Sequence, residues 1–401
     1  MSHEKRSSRE AELKGFKYFP SLSRLLARLR PVGCDRDRAG NRRLYMDQYV
    51  ALLLLYLFNP VCESLRAVQR LSELEKVQKK LGIKRCSLTS LSEAARIFDS
   101  AALRQIVTTL AQETPSVAQA NRPPEVKEIL TVVDGTVLMA LPKVVEQLWA
   151  PACHEGFKAH VHYEVLKGCP VSATVTGVHA SEIAVLTEHL QPGRFYLLDR
   201  GYAKYQLMQD IIDVGSSFLA RIKSHFYIET VETRPLDASA RKAGVLRDEI
   251  VRLGRHPRYR QLTGPVRRIE VVCTERTAKS VRQMHQKQAK ETTMLLVTDR
   301  LDLSADVIAT LYRFRWEIEI FFRWFKHILG CRHLLSRCQN GVELQVYTAI
   351  IVCLLIARMT GLKPNKALYE MICWYLSGWA SEEELLARIT AAQARQKNLS
   401  R

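Results

Sequence analysis

At Asn121-Arg-Pro-Pro124 the hydrophobic period of the chain changes, and that change constrains the fold more than any other feature. Paired prolines lack the N–H donors that helices and strands need, so neither continues readily through them, and Val117–Glu125 reads as a linker. Ahead of it, from Tyr18 to about Glu113, apolar residues recur at helical spacing, with Met46–Leu57 as a central buried stretch. Beyond it they come in β-rich runs: Ile129–Val137, Phe157–Val165, Val171–Val178, Arg194–Tyr202 and Ser217–Lys223. Helical stretches at Ser181–Leu190 and Tyr205–Val214 separate the later runs, which makes this part of the chain an α/β unit, a mixed sheet flanked by helices.

Two of these runs stop at an acid. Ile129-Leu-Thr-Val-Val leads into Asp134-Gly-Thr136, and Arg194-Phe-Tyr-Leu-Leu leads into Asp199-Arg-Gly-Tyr202. A single Asp after a strand is most often a turn former. Strand ends in open α/β sheets are also where ligands and catalytic groups collect, and here a third acid follows on a helix.

That helix is expected from Asp306 to Leu329, with Ser304 able to cap it and Gly330 to stop it. Counted from Tyr312, the residues Arg315, Glu319, Arg323 and Lys326 fall on an arc of roughly 80° at about 100° per residue. Phe314, Ile318, Phe321, Phe325 and Ile328 fall opposite, so the pattern predicts a helix lying on a core and turning a carboxylate among cations outward. Mixed charges at this spacing also describe an ordinary solvated face.

Between Ser224 and Glu291 the alternation of strands and helices is interrupted. Arg221–Glu229, Val245–Leu253, Val266–Glu275 and Thr293–Thr298 look like strands, the first and last extending the sheet and the middle ones forming a β-rich insertion at about 224–291. Arg252, Arg255, Arg258, Arg260, Arg267 and Arg268 crowd this segment and are expected to meet phosphates. After it, Val342–Arg358 is apolar nearly all round and reads as a buried helix, and Asn365–Trp379 and Ser381–Gln396 complete a helical tail. The boundaries that follow are a helical region at 1–120, a linker at 121–128, an α/β domain at 129–335 and a helical region at 336–401.

The formal net charge of +19 and pI near 9.6 call for a polyanionic partner, most simply nucleic acid, since each neutralised phosphate releases counterions. Short helices around Ile83–Phe98, with Ser87, Thr89 or Ser90 as caps, suit a helix-turn-helix reader of DNA as well as they suit a plain bundle. The amino terminus has charges but no apolar segment after them, and the apolar runs Tyr49–Phe58 and Tyr347–Met359 are too short to span a bilayer. A cytoplasmic, nucleoid-associated protein with no membrane partner is expected. Ten scattered cysteines agree with a reducing compartment, and Cys331 and Cys338 lack the second pair that a zinc site requires.

Tyr312, Arg315, Glu319 and Lys326, at gaps of two, three and six residues, reproduce the Tyr-Arg-Glu-Lys signature of DDE transposases of the IS-four insertion-sequence family. Asp134-Gly-Thr and Asp199-Arg-Gly-Tyr resemble that family's first and second acid motifs, and Lys158 with His160 resembles its second strand. The likeness runs from about Ile129 to Gly330. It implies a ribonuclease H-like catalytic domain in which Asp134, Asp199 and Glu319 are catalytic and bind metal. Three carboxylates sharing a site repel unless a cation sits among them, and with no Cys/His cage the fitting ion is Mg²⁺, a pair of ions in this chemistry, with Mn²⁺ able to substitute. The family's reaction is nicking at transposon ends followed by joining of the freed 3′-hydroxyl to target DNA. Its partners are double-stranded DNA, as terminal inverted repeats and target, and a second copy in a synaptic homodimer. Tyr312, Arg315, Arg323, Lys326, Arg200 and Tyr202 are the implied DNA contacts. Trp316 and Tyr202 are the aromatics on hand for stacking a flipped base, a role left open. Two other functions compete: a catalytically silent transposase relative that only binds DNA, and a ribonuclease H-like nuclease or resolvase.

Overall fold

The computed structural model describes residues 24–36, 40–59, 61–117, 122–139, 156–224, 226–254, 262–272, 293–328, 335–336 and 338–399. The described residues ahead of the linker include the helices α1 (Met46–Phe58), α2 (Leu65–Leu71), α3 (Glu75–Leu81), α4 (Leu88–Ile97) and α5 (Ser100–Glu113). The α/β part follows as β1 (Ile129–Met139), β2 (Gly156–Glu164), β3 (Cys169–Gly177), α6 (Glu182–Glu188), β4 (Arg194–Leu198), α7 (Tyr205–Asp213), β5 (Ser217–Ile222), β6 (Ile228–Thr233), α8 (Ala238–Lys242), β7 (Val245–Leu253), β8 (Val266–Val272) and β9 (Thr293–Thr298). The chain ends in α9 (Ala305–Arg313), α10 (Trp316–Ile328), α11 (Gln339–Thr360), α12 (Lys366–Leu376) and α13 (Glu382–Leu399). Polar caps start several of these helices: the Ser64, Ser87, Ser181 and Asn365 side chains each accept from the backbone N–H three residues on.

These elements form two compact units, one of Met1–Asn121, Gly135–Ala180 and Ile320–Arg401, the other of Arg122–Asp134 and Ser181–Glu319. The first is organised by α11, which packs on α1, α4 and α5 and against β3. At 22 residues α11 is long and apolar enough to cross a membrane, longer than the run Tyr347–Met359 suggests, but 83% of its most apolar window is buried in the protein. Asn340 ties its start to the N-terminal helices, accepting from Ser100 N and donating to the Ala95 and Phe98 carbonyls. Strands β2 and β3 form an antiparallel pair, with Phe157 opposite Gly177 and a bulge at His162/Tyr163.

The second unit is built on the strand order β1-β4-β5-β9-β8-β7-β6. β1, β4 and β5 are parallel, β9 runs antiparallel to β5, and β8, β7 and β6 continue antiparallel from it. The β-rich segment is therefore an extension of the same sheet rather than a body apart from it. Tyr196, Leu198, Phe218, Ala220 and Ile222 on one face pack with Leu207, Met208 and Ile211 of α7, the amphipathic helix that the spacing predicts.

Two expectations need correction. β1 does not stop at Asp134 but runs to Met139, since its pairing with β4 ends only because β4 itself stops at Leu198. The single helix expected from Asp306 to Leu329 is two. Phe314 N and Arg315 N bond to the Leu311 and Tyr312 carbonyls, three residues back, and this tightened turn resets the helical phase before α10 begins. Ser304 does hold the N-cap position of α9, whereas Gly330 lies outside the described residues.

Candidate active site

The parallel ladder sets the two aspartates side by side. Ile129 stands opposite Arg194 and Val132 opposite Leu197, so Asp134 and Asp199 each follow the last pair of the β1–β4 ladder by two residues, and both bear on the Tyr202 phenol. From β4 to β5, Leu198 stands opposite Ala220, so the next position brings Arg221 level with Asp199. An acid, an acid and an arginine are thus gathered around the point where β4 ends. Arg221 was passed over in the sequence as one residue of an apolar run; an arginine inside such a run, on the strand next to a strand-end acid, is the signal that could have found it.

Asp199 opens a short 3₁₀ turn, Arg200–Tyr202, that leaves Arg200 exposed and folds the Tyr202 ring into the core at 2% exposure. Burial, then the charges of Glu182, Asp134 and Asp199, raise the Tyr202 phenol pKa far above the ordinary value. Tyr202 is thus a wall of the site in this structure and presents no open face for a base. Glu182, at the start of α6, is a further acid beside the two aspartates, and nothing in its local sequence marked it.

Tyr312 and Arg315 are buried, not turned outward as a continuous helix face predicts: they are 3% and 6% exposed. The tight turn at Phe314-Arg315 swings both inward. Burial raises the Tyr312 phenol pKa, with Arg315 and Arg221 opposing and Asp199 and Glu319 adding to the rise. Its hydroxyl has no hydrogen-bond partner among the described residues. Burial alone would lower the pKa of the Arg315 guanidinium, but Tyr312, Asp199 and Glu319 outweigh it and raise the pKa. Arg315 donates through Nη2 to Glu319 Oε1 across one turn and lies 4.8 Å from the centre of the Trp316 ring.

Asp199 and Glu319 therefore act on the same two side chains, Tyr312 and Arg315, which places the third acid in the neighbourhood of the pair. It is nevertheless held by Arg315. Among the described residues no group of three Asp, Glu, His or Cys side chains is close enough to hold a metal ion. Arg323 and Lys326 lie four and seven residues past Glu319 on α10, the first exposed and the second half-buried. Lys158 on β2 is half-buried, and His160 Nε2 sits 2.8 Å from Thr176 Oγ1.

The arginines of the sheet extension divide. Arg267 and Arg268 are not phosphate contacts here: Arg267 is 3% exposed in an ion pair with Asp248, and Arg268 pairs with Glu249 at 3.3 Å. Their strands are interior to the sheet, where an arginine needs a buried acid. Arg252 is exposed on β7, and Arg255, Arg258 and Arg260 lie outside the described residues.

Residues 126–355 match the family model described as a Transposase DDE domain, more than half of the chain and inclusive of all three acids. The chain belongs to the DDE transposases. It is 30% identical over 203 residues to a protein of Sinorhizobium fredii named as a transposase, y4zB, covering 50% of this chain and 52% of that one. It is 26% identical over 234 residues, 57% of this chain and 55% of that one, to a protein of Geobacillus stearothermophilus named as the transposase of insertion sequence element IS5377. The chain thus spans about half the length of these curated relatives. Among solved structures, the piggyBac transposase synaptic complex with hairpin DNA aligns over 88% of this DDE transposase chain and 72% of that one, at 8% identity and a TM-score of 0.37, a likeness too low to bear on fold or function.

Proposed function

We propose that this chain cuts DNA at the ends of an insertion sequence and joins the freed ends to target DNA, as a transposase of the IS-four type. The observation that carries the reading is the approach of Asp134 on β1 and Asp199 just past the end of parallel β4, which both act on Tyr202, with Tyr312, Arg315 and Glu319 beside Asp199. A ribonuclease H-like sheet is supported by the parallel strands β1, β4 and β5 of the second unit and the antiparallel pair β2 and β3 of the first.

The donor set fits a hard divalent cation, since it is all carboxylate oxygen and the buried Tyr312 hydroxyl beside it has no hydrogen-bond partner among the described residues. Asp134, Asp199 and Glu319 would hold Mg²⁺, as two ions, which supplies positive charge to activate an attacking oxygen and to stabilise the leaving one. For Glu319 to join the other two acids it must leave Arg315. A DNA phosphate offers the guanidinium fork two oxygens in place of the one Glu319 contact it now makes, so substrate binding itself frees the carboxylate. Tyr312 and Lys326 then hold neighbouring phosphates, and Arg200 and Arg323, both exposed, extend the contact along the backbone. Joining two ends to one target calls for two such sites, hence a homodimer on paired ends. Size-exclusion mass measurement with end DNA tests it, and a 1:1 complex that still completes joining would exclude it.

The deciding experiment is Glu319→Gln, which keeps size and hydrogen bonding but removes the charge. Cleavage of DNA carrying the inverted repeats that flank the element is measured with Mg²⁺, beside a gel-shift titration. The variant should fold, bind at least as tightly, and neither nick nor join; chelation of Mg²⁺ should likewise stop cleavage by the parent without stopping binding. Substantial cleavage by the Gln variant overturns the assignment. Cleavage without strand transfer in the parent would favour a nuclease, and binding without either would favour a silent relative.

A further inference from the structure

The sheet extension holds one buried charge pair whose geometry reaches beyond the strands that carry it. Arg267 on β8 stands opposite Ile250, and Asp248 on β7 stands opposite Ile269, so the two are diagonal neighbours on one face. Their side chains are 3% and 4% exposed. Nε and Nη2 of Arg267 donate to the two Asp248 oxygens at 2.7 and 2.6 Å, a full fork. The remaining nitrogen, Nη1, donates to the Leu303 carbonyl.

Leu303 immediately precedes Ser304, the N-cap of α9, and α9 ends at the turn that presents Tyr312, Arg315 and Glu319. A second tie comes from Arg234, just past β6, whose Nη1 donates to the Leu301 carbonyl at 3.0 Å. A third is at Asp306, whose carboxyl pKa is lowered first by the Ser304 hydroxyl and further by Ser239 on α8. All three reach the start of α9 from Ser239 and from the strands and loops of the extension.

We propose that the Asp248–Arg267 pair is a positioning device for the active site: it fixes the start of α9 so that its far end delivers Tyr312, Arg315 and Glu319 beside Asp199. The proposal rests on the assignment of Glu319 as the third catalytic acid. The physical ground is leverage. α9 has nine residues and is about 13 Å long at the usual rise per residue, so a tilt of roughly 5° at its start moves its end by about 1 Å. A displacement of that size at reacting groups costs on the order of a hundredfold in rate. A buried ion pair is poor evidence of stabilisation, because apolar replacement of both partners is often neutral or better. That property separates positioning from simple structural support.

The test is Asp248→Leu/Arg267→Met, which removes both charges and keeps the volume apolar, with Arg267→Lys as a second variant that keeps the charge but cannot serve both partners. Three readouts are taken: denaturation midpoint, amide hydrogen exchange over 305–313, and Mg²⁺-dependent cleavage beside a gel shift with the same end DNA. Both variants should stay folded and bind DNA as the parent does. Exchange in the first turn of α9 should quicken, and cleavage should fall roughly tenfold to a hundredfold, less for the lysine variant. A folded double variant with parental exchange and parental cleavage overturns the proposal, as does a cleavage loss no larger than the loss of folded protein in both variants. The exchange readout does not depend on Glu319. If Glu319→Gln cleaves normally, the catalytic assignment fails, while exchange still reports whether the pair holds α9.

Discussion

A tyrosine hydroxyl sealed in a protein without a partner is a cost of about 1–3 kcal/mol, and Tyr312, beside Asp199 and Arg315, has none among the described residues. Packing alone would favour phenylalanine there. Tyr312→Phe should therefore leave thermal stability unchanged or raise it, while cleavage of end DNA falls if the hydroxyl meets a phosphate or an ion's water in the working complex. Stability up and activity down is the expected pair of results; stability up with activity unchanged would make Tyr312 a packing residue. The tyrosine was legible in the sequence through its spacing to Arg315 and Glu319. Its burial was not, because a periodicity count assumes an unbroken helix, and two backbone bonds at Phe314 and Arg315 break it.

At the scale of elements, α11 shows how a helix that is apolar all round is locked in place by its small residue. A Cβ on Gly341 would stand 2.9 Å from the Ala95 Cβ on α4 and closer still to Ser336. Ser336 can shift, but Ala95 sits on a packed helix that cannot easily yield. Gly341→Ala should thus destabilise the protein by about 1–3 kcal/mol despite the better helix propensity of alanine. The check is a urea titration, and a stabilised variant would mean that α4 and α11 can slide apart without loss. The same element scale holds the clearest miss of sequence reading. Strands β7 and β8 were legible as strands from their alternation, while the expected run Arg221–Glu229 meets β6 only at Ile228 and Glu229; the arginines pointed toward phosphates when Arg267 and Arg268 instead meet acids on β7. An arginine that alternates within a strand is ambiguous until the partner strand and its register are known, because Asp248 and Glu249 lie nearly twenty residues away.

For the whole molecule, a net charge of +19 makes salt the governing variable of DNA binding. If end DNA engages on the order of eight phosphates, affinity should fall by roughly 10³ to 10⁵ between 50 and 200 mM salt. Arg315→Ala adds a sharper readout. If Arg315 exchanges Glu319 for a phosphate, its loss reduces the slope of log affinity against log salt by about one. If Arg315 stays with Glu319 in the complex, the slope is unchanged, and the exchange that frees the carboxylate does not occur. Gel-shift titrations at four or five salt concentrations distinguish the two.

Several features depend only on local order along the chain and were settled by it: the helical start, the proline-marked change of period, the strand that stops just before Asp199, and the Tyr-Arg-Glu-Lys spacing. Hydrophobic period and turn chemistry act over a few residues, so a reader of the sequence has everything they need. What required tertiary structure was every relation set by pairing across distance. The gathering of Asp134, Asp199 and Arg221 follows from the pairing of β1, β4 and β5, and the continuity of β8, β7 and β6 with the sheet comes from β9 pairing on both edges. The pairing of Glu319 with Arg315, four residues back, is local and open to the sequence, whereas the charge of Asp199 on Arg315, from more than a hundred residues away, came from the fold. Long-range pairing is a competition among partners that the chain brings together only on folding, and no local pattern records its outcome.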